Sequence, residues 1–481
     1  MTGSATTSPT AQQFVNGALV ASDRIGESRS PADGSVLGSY ADGDAAQGAA
    51  AIAAARTTFD ESDWSHDRQL RHRALNEIAD GIERRTDDLV TMLARENGKV
   101  LREGGFELSL TPSKLRYYAA LALTDTGRAA EVKPGLHMSS VAEAIGVAGV
   151  IVPWNSPVVL SVRSFAPALA AGCTAVVKLP GQTGLVNGIL HEIFAEVSSL
   201  PAGVLNSLTE AGDEVSRLLV ESPDVDALSY TGSTRVGRLI MAEAAKQLKR
   251  ISLELGGKSP MIVFDGADLD VVVPTLTAAI TTFSGQFCMT GSRVLVQRSI
   301  ADELRDRLSK SVAAVRVGPG DDPTSEMGPM IDVANAQRVD AIVRDAESYA
   351  TVLVRGGAPD RASAYYHPSL VEVSDPMSPI VQQEVFGPVA TFEIFDTEAD
   401  AVRLANITEY GLSASVWSRD IDQPRRVATR LRAGTVWANA WAIVVDQFEE
   451  GGFKQSGIGR LNGLRALEEF QEYKTYAQVV G

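Results

Sequence analysis

The sequence predicts an α/β protein in which parallel sheets are covered by helices on both sides. Short β-branched or apolar runs bounded by turn residues, such as TAVVKL (174–179) and ALSYTG (227–232), alternate with amphipathic helical segments. This alternation indicates βαβ units. A second series of the same kind runs from PMIVF (260–264) to ASVWSRD (414–420). The chain is therefore expected to hold two α/β regions.

The individual elements follow from the periodicity of the apolar residues. Residues 20–60 look like surface turns leading into an Ala-rich helix. The final EYKTYAQVVG (472–481) alternates like an exposed edge strand, which often pairs with another segment or subunit. Helices are expected over residues 66–96, 100–123, 187–199, 234–248 and 332–347. The other strands are expected within residues 144–154, 203–209, 250–256, 292–297, 351–357 and 389–395.

Composition argues against several classes of protein. The net charge of −16 disfavours a nucleic-acid or anionic-membrane partner. Two cysteines without CxxC spacing and five scattered histidines indicate neither a disulfide framework nor a metal site. The N-terminus has no signal-peptide pattern, and no apolar run reaches about 18 residues. The sequence therefore predicts a cytoplasmic, metal-independent protein of two or three domains.

Unusual side chains stand directly after or at the end of four predicted strands, where parallel sheets bind ligands. Asn155 is either the cap of a rigid turn or a positioned amide. Lys178 is either a solvated strand end or an anion ligand. Ser233 is either a helix N-cap or part of a phosphate cradle. Glu254 lies in an apolar strand, where it is either salt-bridged or a base whose pKa is raised by burial.

Cys288 lies in FSGQFCMTGSR (283–293), between two turns that contain glycine. A single cysteine in a soluble protein is usually a small core residue. The alternative is a nucleophile whose pKa is lowered by a helix N-terminus or by backbone amides. Cys173, in apolar surroundings, is interpreted as structural.

Seven short stretches link these residues: PWN, VVK, TGST, LELGGK, GQxC, QEVFGPV and GGFKQSGIGR. In this order and with this spacing, the chain from about residue 13 to its end resembles the NAD(P)-dependent aldehyde dehydrogenase superfamily. The resemblance implies an aldehyde dehydrogenase-like α/β fold that assembles into homodimers or homotetramers. Its parts would be a Rossmann-like cofactor domain (1–121 and 145–256), an α/β catalytic domain (257–456) and a small β oligomerisation extension (122–144 and 457–481).

The resemblance also implies a reaction, the oxidation of an aldehyde to the carboxylic acid with NAD or NADP. Cys288 would attack the aldehyde carbon, while the Asn155 amide and the backbone N–H of Cys288 hold the oxyanion. The thiohemiacetal would give hydride to the nicotinamide, and Glu254 would activate the water that hydrolyses the resulting thioester. The cofactor-binding positions carried over are Trp154, Lys178, Gly232, Ser233, Glu384 and Phe386.

Arg163 bears on the choice of aldehyde. Semialdehyde-oxidising relatives have an arginine at the matching place that meets a substrate carboxylate, but some aromatic-aldehyde relatives also carry one. The second arginine of the semialdehyde enzymes is Thr282 here. An aromatic or medium-chain aldehyde is therefore favoured over succinic semialdehyde. Candidate walls of the substrate funnel are Phe106, Phe283, Trp441 and Phe448.

Two departures from the usual family pattern affect the cofactor and the pocket. Gly181 stands where strict NAD users carry a glutamate that repels a 2′-phosphate. Without that carboxylate, Lys178 is free to pair with the phosphate, and activity with both NAD and NADP is predicted unless Gln182 takes over the ribose contact. Glu449 and Glu450 replace the familiar Pro-Phe before GGFKQSG.

Two other functions share the same motifs. A semialdehyde dehydrogenase that passes its acyl group to coenzyme A would not need a hydrolytic base, and the presence of Glu254 argues for water instead. A non-catalytic protein of the same fold would not need the set of Cys288, Glu254 and Asn155.

Overall fold

The computed structural model of the chain describes residues 10–124 and 127–480. Residues 1–9 of the predicted cofactor domain, and residues 125, 126 and 481 of the predicted extension, lie outside the described residues. The strands are β1 (Gln13–Val15), β2 (Ala18–Val20), β3 (Ile25–Arg29), β4 (Val36–Ala41), β5 (Arg128–Lys133), β6 (Leu136–Ala144), β7 (Val147–Ile151), β8 (Thr174–Pro180), β9 (Leu205–Glu210), β10 (Ala227–Thr231), β11 (Arg250–Glu254), β12 (Pro260–Val263), β13 (Arg293–Gln297), β14 (Thr351–Val354), β15 (Ser369–Glu372), β16 (Val389–Phe395), β17 (Ser413–Trp417), β18 (Thr435–Ala438), β19 (Gly457–Ile458) and β20 (Gln471–Val479). The helices are α1 (Ala45–Glu61), α2 (Arg68–Arg84), α3 (Thr86–Met92), α4 (Leu101–Ser109), α5 (Thr111–Ala122), α6 (Pro157–Ala171), α7 (Gly184–Ala195), α8 (Glu214–Glu221), α9 (Thr234–Ala244), α10 (Leu269–Thr281), α11 (Ala301–Ala313), α12 (Val333–Ala346), α13 (Pro379–Gln382), α14 (Glu398–Ala405), α15 (Gln423–Ala428) and α16 (Arg465–Glu468).

The first sheet has eight strands in the order β19-β11-β10-β7-β8-β9-β1-β2. Strands β7 to β11 pair in parallel, with β8 and β9 on one side of β7 and β10 and β11 on the other. One buried cluster joins the sheet to α2, α5, α6 and α7, and another joins it to α1, α8 and α9. The strand order reverses at β7, so its carboxyl end is where a sheet of this kind binds ligands.

The second sheet has seven strands in the order β14-β15-β16-β13-β12-β17-β18. All its neighbouring strands are parallel except β14 and β15. Cys288 lies in the segment between α10 and β13. The α/β class, with two mainly parallel sheets, is confirmed.

A third, antiparallel sheet has the order β20-β6-β5. Residues 472–479 of its edge strand β20 are exposed. This sheet matches the small β extension that the family resemblance implied, but the domain boundaries stay a prediction. Strand β19 pairs with β11 of the first sheet, although residues 457–481 were predicted to belong to the extension.

The β3–β4 hairpin occupies a region that was predicted as turns. Strand β3 reads IGESR and is largely exposed. Its sequence lacks the alternation of apolar and polar residues by which a half-buried strand is recognised. Within residues 10–124 and 127–480, no helix is long and apolar enough to cross a membrane.

A buried ion pair anchors the turn between β7 and α6. The Glu107 carboxylate of α4 accepts the backbone N–H groups of Val158 at 2.9 Å and Val159 at 3.1 Å, in the first turn of α6. It also pairs with Lys99, which donates to Ser156 Oγ at 3.0 Å. Because both charged side chains are buried, each depends on the other for compensation.

We predict that Glu107→Ala destabilises the protein by about 3 kcal/mol, because it leaves Lys99 as an uncompensated buried charge. The measurement is the thermal unfolding midpoint. Glu83→Ala is the matched control, since Glu83 pairs with Arg116 on the surface and such pairs contribute about 1 kcal/mol or less. Equal midpoints for the two variants would show that the buried pair does not hold this turn.

Candidate active site

The three side chains predicted to be catalytic border one cavity. This cavity of about 310 Å³ is lined by Asn155, Glu254 and Cys288, together with Arg163 and other residues. A second cavity is also lined by Asn155, Arg163 and Cys288, and its remaining walls are largely apolar. Cys288 thus lies where the two cavities meet.

The Asn155 side chain is a positioned amide. It is 5 % exposed, and its Nδ2 donates to the backbone carbonyl of Gln286 at 3.0 Å. A side-chain amide has two N–H donors, so this bond orients the group and leaves the second donor for the cavity. The N-cap of α6 is the next residue, Ser156.

The surroundings of Cys288 favour the neutral thiol. Burial raises its pKa to about 12; Glu450 and Glu254 raise it further, while Arg163 lowers it. Desolvation is the largest cause of this shift, and it acts against the lowered pKa that was one alternative from the sequence. The thiol therefore needs a base, and Glu254 borders the same cavity. Cys173 is fully buried, and its Sγ donates to the Phe470 carbonyl at 3.3 Å, as expected for a structural cysteine.

Glu254 ends β11 in a buried position. Burial raises its pKa to about 8; Arg163 opposes this rise and Glu450 adds to it. Among the residues that the structure describes, its Oε1 has no hydrogen-bond partner. A carboxyl group in this state is suited to general-base catalysis near neutral pH.

The larger cavity has a carboxylate and an aromatic pair on its wall. Glu384 Oε1 accepts the backbone N–H of Gly257 at 3.1 Å, and burial raises the pKa of Glu384 to about 7. A Cβ on Gly256 would lie 2.4 Å from Glu384 Oε2, so glycine is needed for this approach. The rings of Trp154 and Phe386 pack edge to face, with centroids 5.6 Å apart.

The N-terminus of α9 faces the same cavity. Gly232 and Ser233 line it, and Ser233 is the N-cap, with Oγ accepting the Val236 N–H at 3.3 Å. The capping role is therefore observed, and the helix terminus still offers an electropositive wall for an anion. With the Glu384 carboxylate for a sugar hydroxyl, these residues fit a nicotinamide dinucleotide.

Lys178 lies among acidic residues at the end of β8. Burial lowers its pKa, and Glu210 and Asp213 oppose that shift. The position beside Gly181 is not vacant, because a Cβ there would lie 2.7 Å from the Tyr40 hydroxyl. Carboxylates are thus present near Lys178, but they come from the end of β9 and the following turn instead of position 181.

The second cavity, which is the smaller of the two, has the aromatic side chains predicted for a substrate funnel. Phe106 and Phe283 both line it. The Phe283 ring also lies 4.0 Å below Lys99 Nζ, in a cation–π contact. Other apolar side chains complete the wall, namely Leu110, Val159, Leu160, Phe287 and Met289.

Trp441 and Phe448 do not form the walls predicted for them. Trp441 packs behind the wall, 6.0 Å from the Phe287 ring, and its Nε1 donates to the Met289 carbonyl at 3.0 Å. Phe448 is 71 % exposed and stays outside. Their places are taken by Phe287 and Met289, which flank Cys288 in the sequence; adjacency to the cysteine was the available signal.

Arg163 already has a carboxylate partner within the protein. It is buried, and its Nη1 donates to Glu450 Oε1 at 2.7 Å. Its Nη2 donates to Thr231 Oγ1 at 3.0 Å. In the sequence, its partner Glu450 is distinguished only as part of the departure from Pro-Phe. Groups of three or more His, Cys, Asp and Glu side chains suited to a metal ion are absent from the described part of the chain.

Comparison with known proteins agrees with this site. The sequence matches the Aldehyde dehydrogenase family over residues 20–476. It is 38 % identical over 431 residues to betaine aldehyde dehydrogenase of Bacillus subtilis, covering 88 % of each chain. It is 35 % identical to the NADP/NAD-dependent aldehyde dehydrogenase PuuC of Escherichia coli, covering 96 % of this chain and 94 % of that protein.

A solved structure is equally similar. Betaine aldehyde dehydrogenase of Staphylococcus aureus in complex with NAD+ superposes with a TM-score of 0.95 at 35 % identity, covering 98 % of this chain and 95 % of that chain. The match extends over nearly the whole chain, including the segments that carry Asn155, Glu254 and Cys288. The chain therefore belongs to the aldehyde dehydrogenase family and is an NAD(P)-dependent aldehyde dehydrogenase.

Proposed function

We propose that this enzyme oxidises a neutral aromatic or medium-chain aldehyde to its carboxylic acid through a covalent intermediate on Cys288. The observation that carries the proposal is the meeting of Asn155, Glu254 and Cys288 at one cavity. A nucleophile, an oriented amide donor and a carboxyl group with a raised pKa are the groups that acyl transfer to water requires. This arrangement favours hydrolysis over transfer to coenzyme A, and catalysis over a purely structural role.

The proposed steps use this chain's own groups. Cys288 Sγ bonds to the aldehyde carbon as its proton leaves to Glu254, and the free N–H of Asn155 stabilises the oxygen that becomes negative. NAD(P)+, when bound by Glu384 and the α9 N-terminus, supplies the hydride acceptor. Glu254 first loses the proton that it accepted from the thiol. It then takes a proton from water. The hydroxide oxygen then bonds to the acyl carbon as the bond to Sγ breaks, and Sγ takes the proton back from Glu254, which releases the acid and restores the thiol.

The choice of a neutral aldehyde rests on the walls of the smaller cavity. Its side chains are mostly aromatic or aliphatic, and its Arg163 is already paired with Glu450. Arg163 is balanced by Glu450 and Lys114 by Asp446, so neither cation in this wall is left unpaired for a charged aldehyde. The names of the B. subtilis and S. aureus relatives make betaine aldehyde a necessary comparison in any assay.

The proposed assembly is a homodimer or homotetramer in the cytoplasm. The support is the exposed edge strand β20, which carries Tyr473 and Tyr476 at 53 % and 48 % exposure. Unpaired N–H and C=O groups on such an edge are a surface for pairing with another chain.

We predict that Glu254→Gln separates acylation from deacylation. The variant should produce up to one NADH per active site, more slowly than the wild type because the thiol also loses its base, and should then stall because an amide cannot take a proton from water. Rapid-mixing absorbance of NADH measures this. Cys288→Ala should give neither burst nor turnover while still binding the cofactor. Unchanged steady-state turnover in Glu254→Gln would remove Glu254 from the reaction.

The same residue predicts a pH dependence. Glu254 must lose its proton to act as a base, and its pKa is raised to about 8. Where deacylation limits the rate, kcat of the wild type should rise with pH and level off above about pH 8. A flat kcat between pH 6 and pH 9 would contradict this.

We predict that kcat/KM for benzaldehyde and hexanal exceeds that for succinic semialdehyde and for betaine aldehyde by about tenfold or more, the equivalent of about 1.4 kcal/mol. The apolar wall and the paired Arg163 are the reasons. The measurement is initial-rate NADH formation at matched cofactor. A higher kcat/KM for either charged aldehyde would reverse the assignment.

For the cofactor, we predict usable activity with both NAD and NADP, with kcat/KM values within about a hundredfold. Lys178 attracts a 2′-phosphate, whereas Glu210 and Asp213 repel it. Lys178→Met should therefore lower kcat/KM for NADP more than for NAD, and Asp213→Asn should shift the ratio the other way. Gly181→Glu is a poor test, because Tyr40 fills that position. No NADP activity at millimolar cofactor would show that repulsion of the 2′-phosphate by Glu210 and Asp213 exceeds its attraction to Lys178.

A further inference from the structure

Glu450 holds the Arg163 guanidinium inside the wall of the cavity that contains Cys288. The two side chains are 12 % and 3 % exposed, and their closest atoms, Nη1 and Oε1, are 2.7 Å apart. Both residues border the same cavity as Asn155 and Cys288. The ion pair therefore faces the space into which an aldehyde must pass.

Both oxygens of Glu450 are bound. Oε1 accepts from Arg163, and Oε2 accepts from Asn462 Nδ2 at 3.0 Å. Asn462 is in turn oriented by Lys114, whose Nζ donates to Asn462 Oδ1 at 2.6 Å and to Asp446 Oδ1 at 2.7 Å. A guanidinium and an amide N–H, each held by further bonds, thus converge on one carboxylate. This is how a protein binds a carboxylate ligand.

We propose that Glu450 is an internal occupant of a carboxylate-binding position and that it excludes acidic aldehydes from this enzyme. The inference rests on the proposed function only in placing the aldehyde in the same cavity. Glu450 is thus a specificity-determining residue, and Arg163 is the receptor that it masks.

The physical reason is competition between a tethered and a free carboxylate. A substrate carboxylate would have to displace Glu450, whose attachment to the chain gives it a high effective concentration at Arg163. Displacement would also leave Glu450 buried without its cation, which is unfavourable. With Glu450 in place, the negative charge beside Arg163 repels a second anion instead of leaving a site for it.

Removing Glu450 should expose the receptor. Glu450→Ala removes a group of the size of acetate and leaves Arg163 Nη1 and Asn462 Nδ2 facing the vacated space. The experiment compares the thermal midpoint of the variant in sodium acetate with its midpoint in sodium chloride at equal ionic strength, with acetamide as the neutral analogue. The controls are wild type, Glu449→Ala at the exposed neighbouring glutamate, and the double variant R163M/E450A.

Acetate, but not acetamide, should raise the midpoint of Glu450→Ala by about 3 °C or more, and it should leave all three controls unchanged. The ratio of kcat/KM for succinic semialdehyde to that for butanal should rise about tenfold or more in Glu450→Ala alone. No acetate effect in a folded Glu450→Ala, or an equal effect in R163M/E450A, would overturn the inference. An enzyme that oxidises no aldehyde but shows the acetate effect would refute the proposed function and leave this inference standing.

Should Glu450→Ala fail to fold in chloride, its soluble recovery on refolding becomes the readout. Recovery in acetate but not in chloride, together with folding of R163M/E450A without acetate, would support an unpaired Arg163 as the cause. If acetate does not restore the recovery of Glu450→Ala and R163M/E450A does not fold either, the inference is overturned.

Discussion

The charge of Arg163 is the constraint on which the reaction centre depends. An arginine cannot discharge itself when buried, and the neighbouring Glu450 and Glu254 keep its pKa raised despite desolvation. Its charge must therefore be balanced inside the protein. Glu450 is the close partner that balances the charge of Arg163. Glu254 is therefore a second carboxyl group beside a cation whose charge is already balanced. Burial can then hold the pKa of Glu254 high, as a base near neutrality requires.

The two sheets supply this centre from different sides. Asn155 and Arg163 follow β7, Glu254 ends β11, and Cys288 precedes β13 of the second sheet. Parallel strands deliver their carboxyl ends to one edge, which brings Asn155 and Glu254 together although they lie 99 positions apart in the chain. The Lys99–Glu107 pair then fixes the start of α6 against α4. The precision of the site thus comes from buried charge as much as from sheet topology.

The sequence predicted what depends on periodicity and on residue type. Alternating strands and helices predicted both parallel sheets, and the family resemblance predicted catalytic roles for Cys288, Glu254 and Asn155, which border one cavity in the structure. It did not predict the β3–β4 hairpin, because IGESR carries no apolar alternation. Phe448 was predicted to be a wall of the funnel, but its side chain is 71 % exposed. Contacts between segments that are distant in the chain cannot be predicted from a local sequence pattern.

The same limit applies to the ion pair of Arg163 and Glu450. In the sequence, Arg163 has no evident partner and Glu450 is part of a departure from Pro-Phe. The two residues are 287 positions apart. In the structure each accounts for the other: a buried arginine without a substrate carboxylate needs an internal one, and a glutamate at a normally apolar position needs a cation.

The protonation states of Cys288 and Glu254 constrain the order of events. The pKa of the thiol is raised to about 12 and that of Glu254 to about 8. A free thiolate beside a protonated Glu254 is therefore a minor state in the resting protein. Negative charge at sulfur is unfavourable because the thiol is desolvated and Glu450, Glu254 and Glu384 add repulsion that outweighs the attraction of Arg163. Charge at the aldehyde oxygen instead meets an Asn155 donor. Loss of the thiol proton is thus best coupled to attack on the carbonyl carbon, so that the charge passes to the oxygen as it forms.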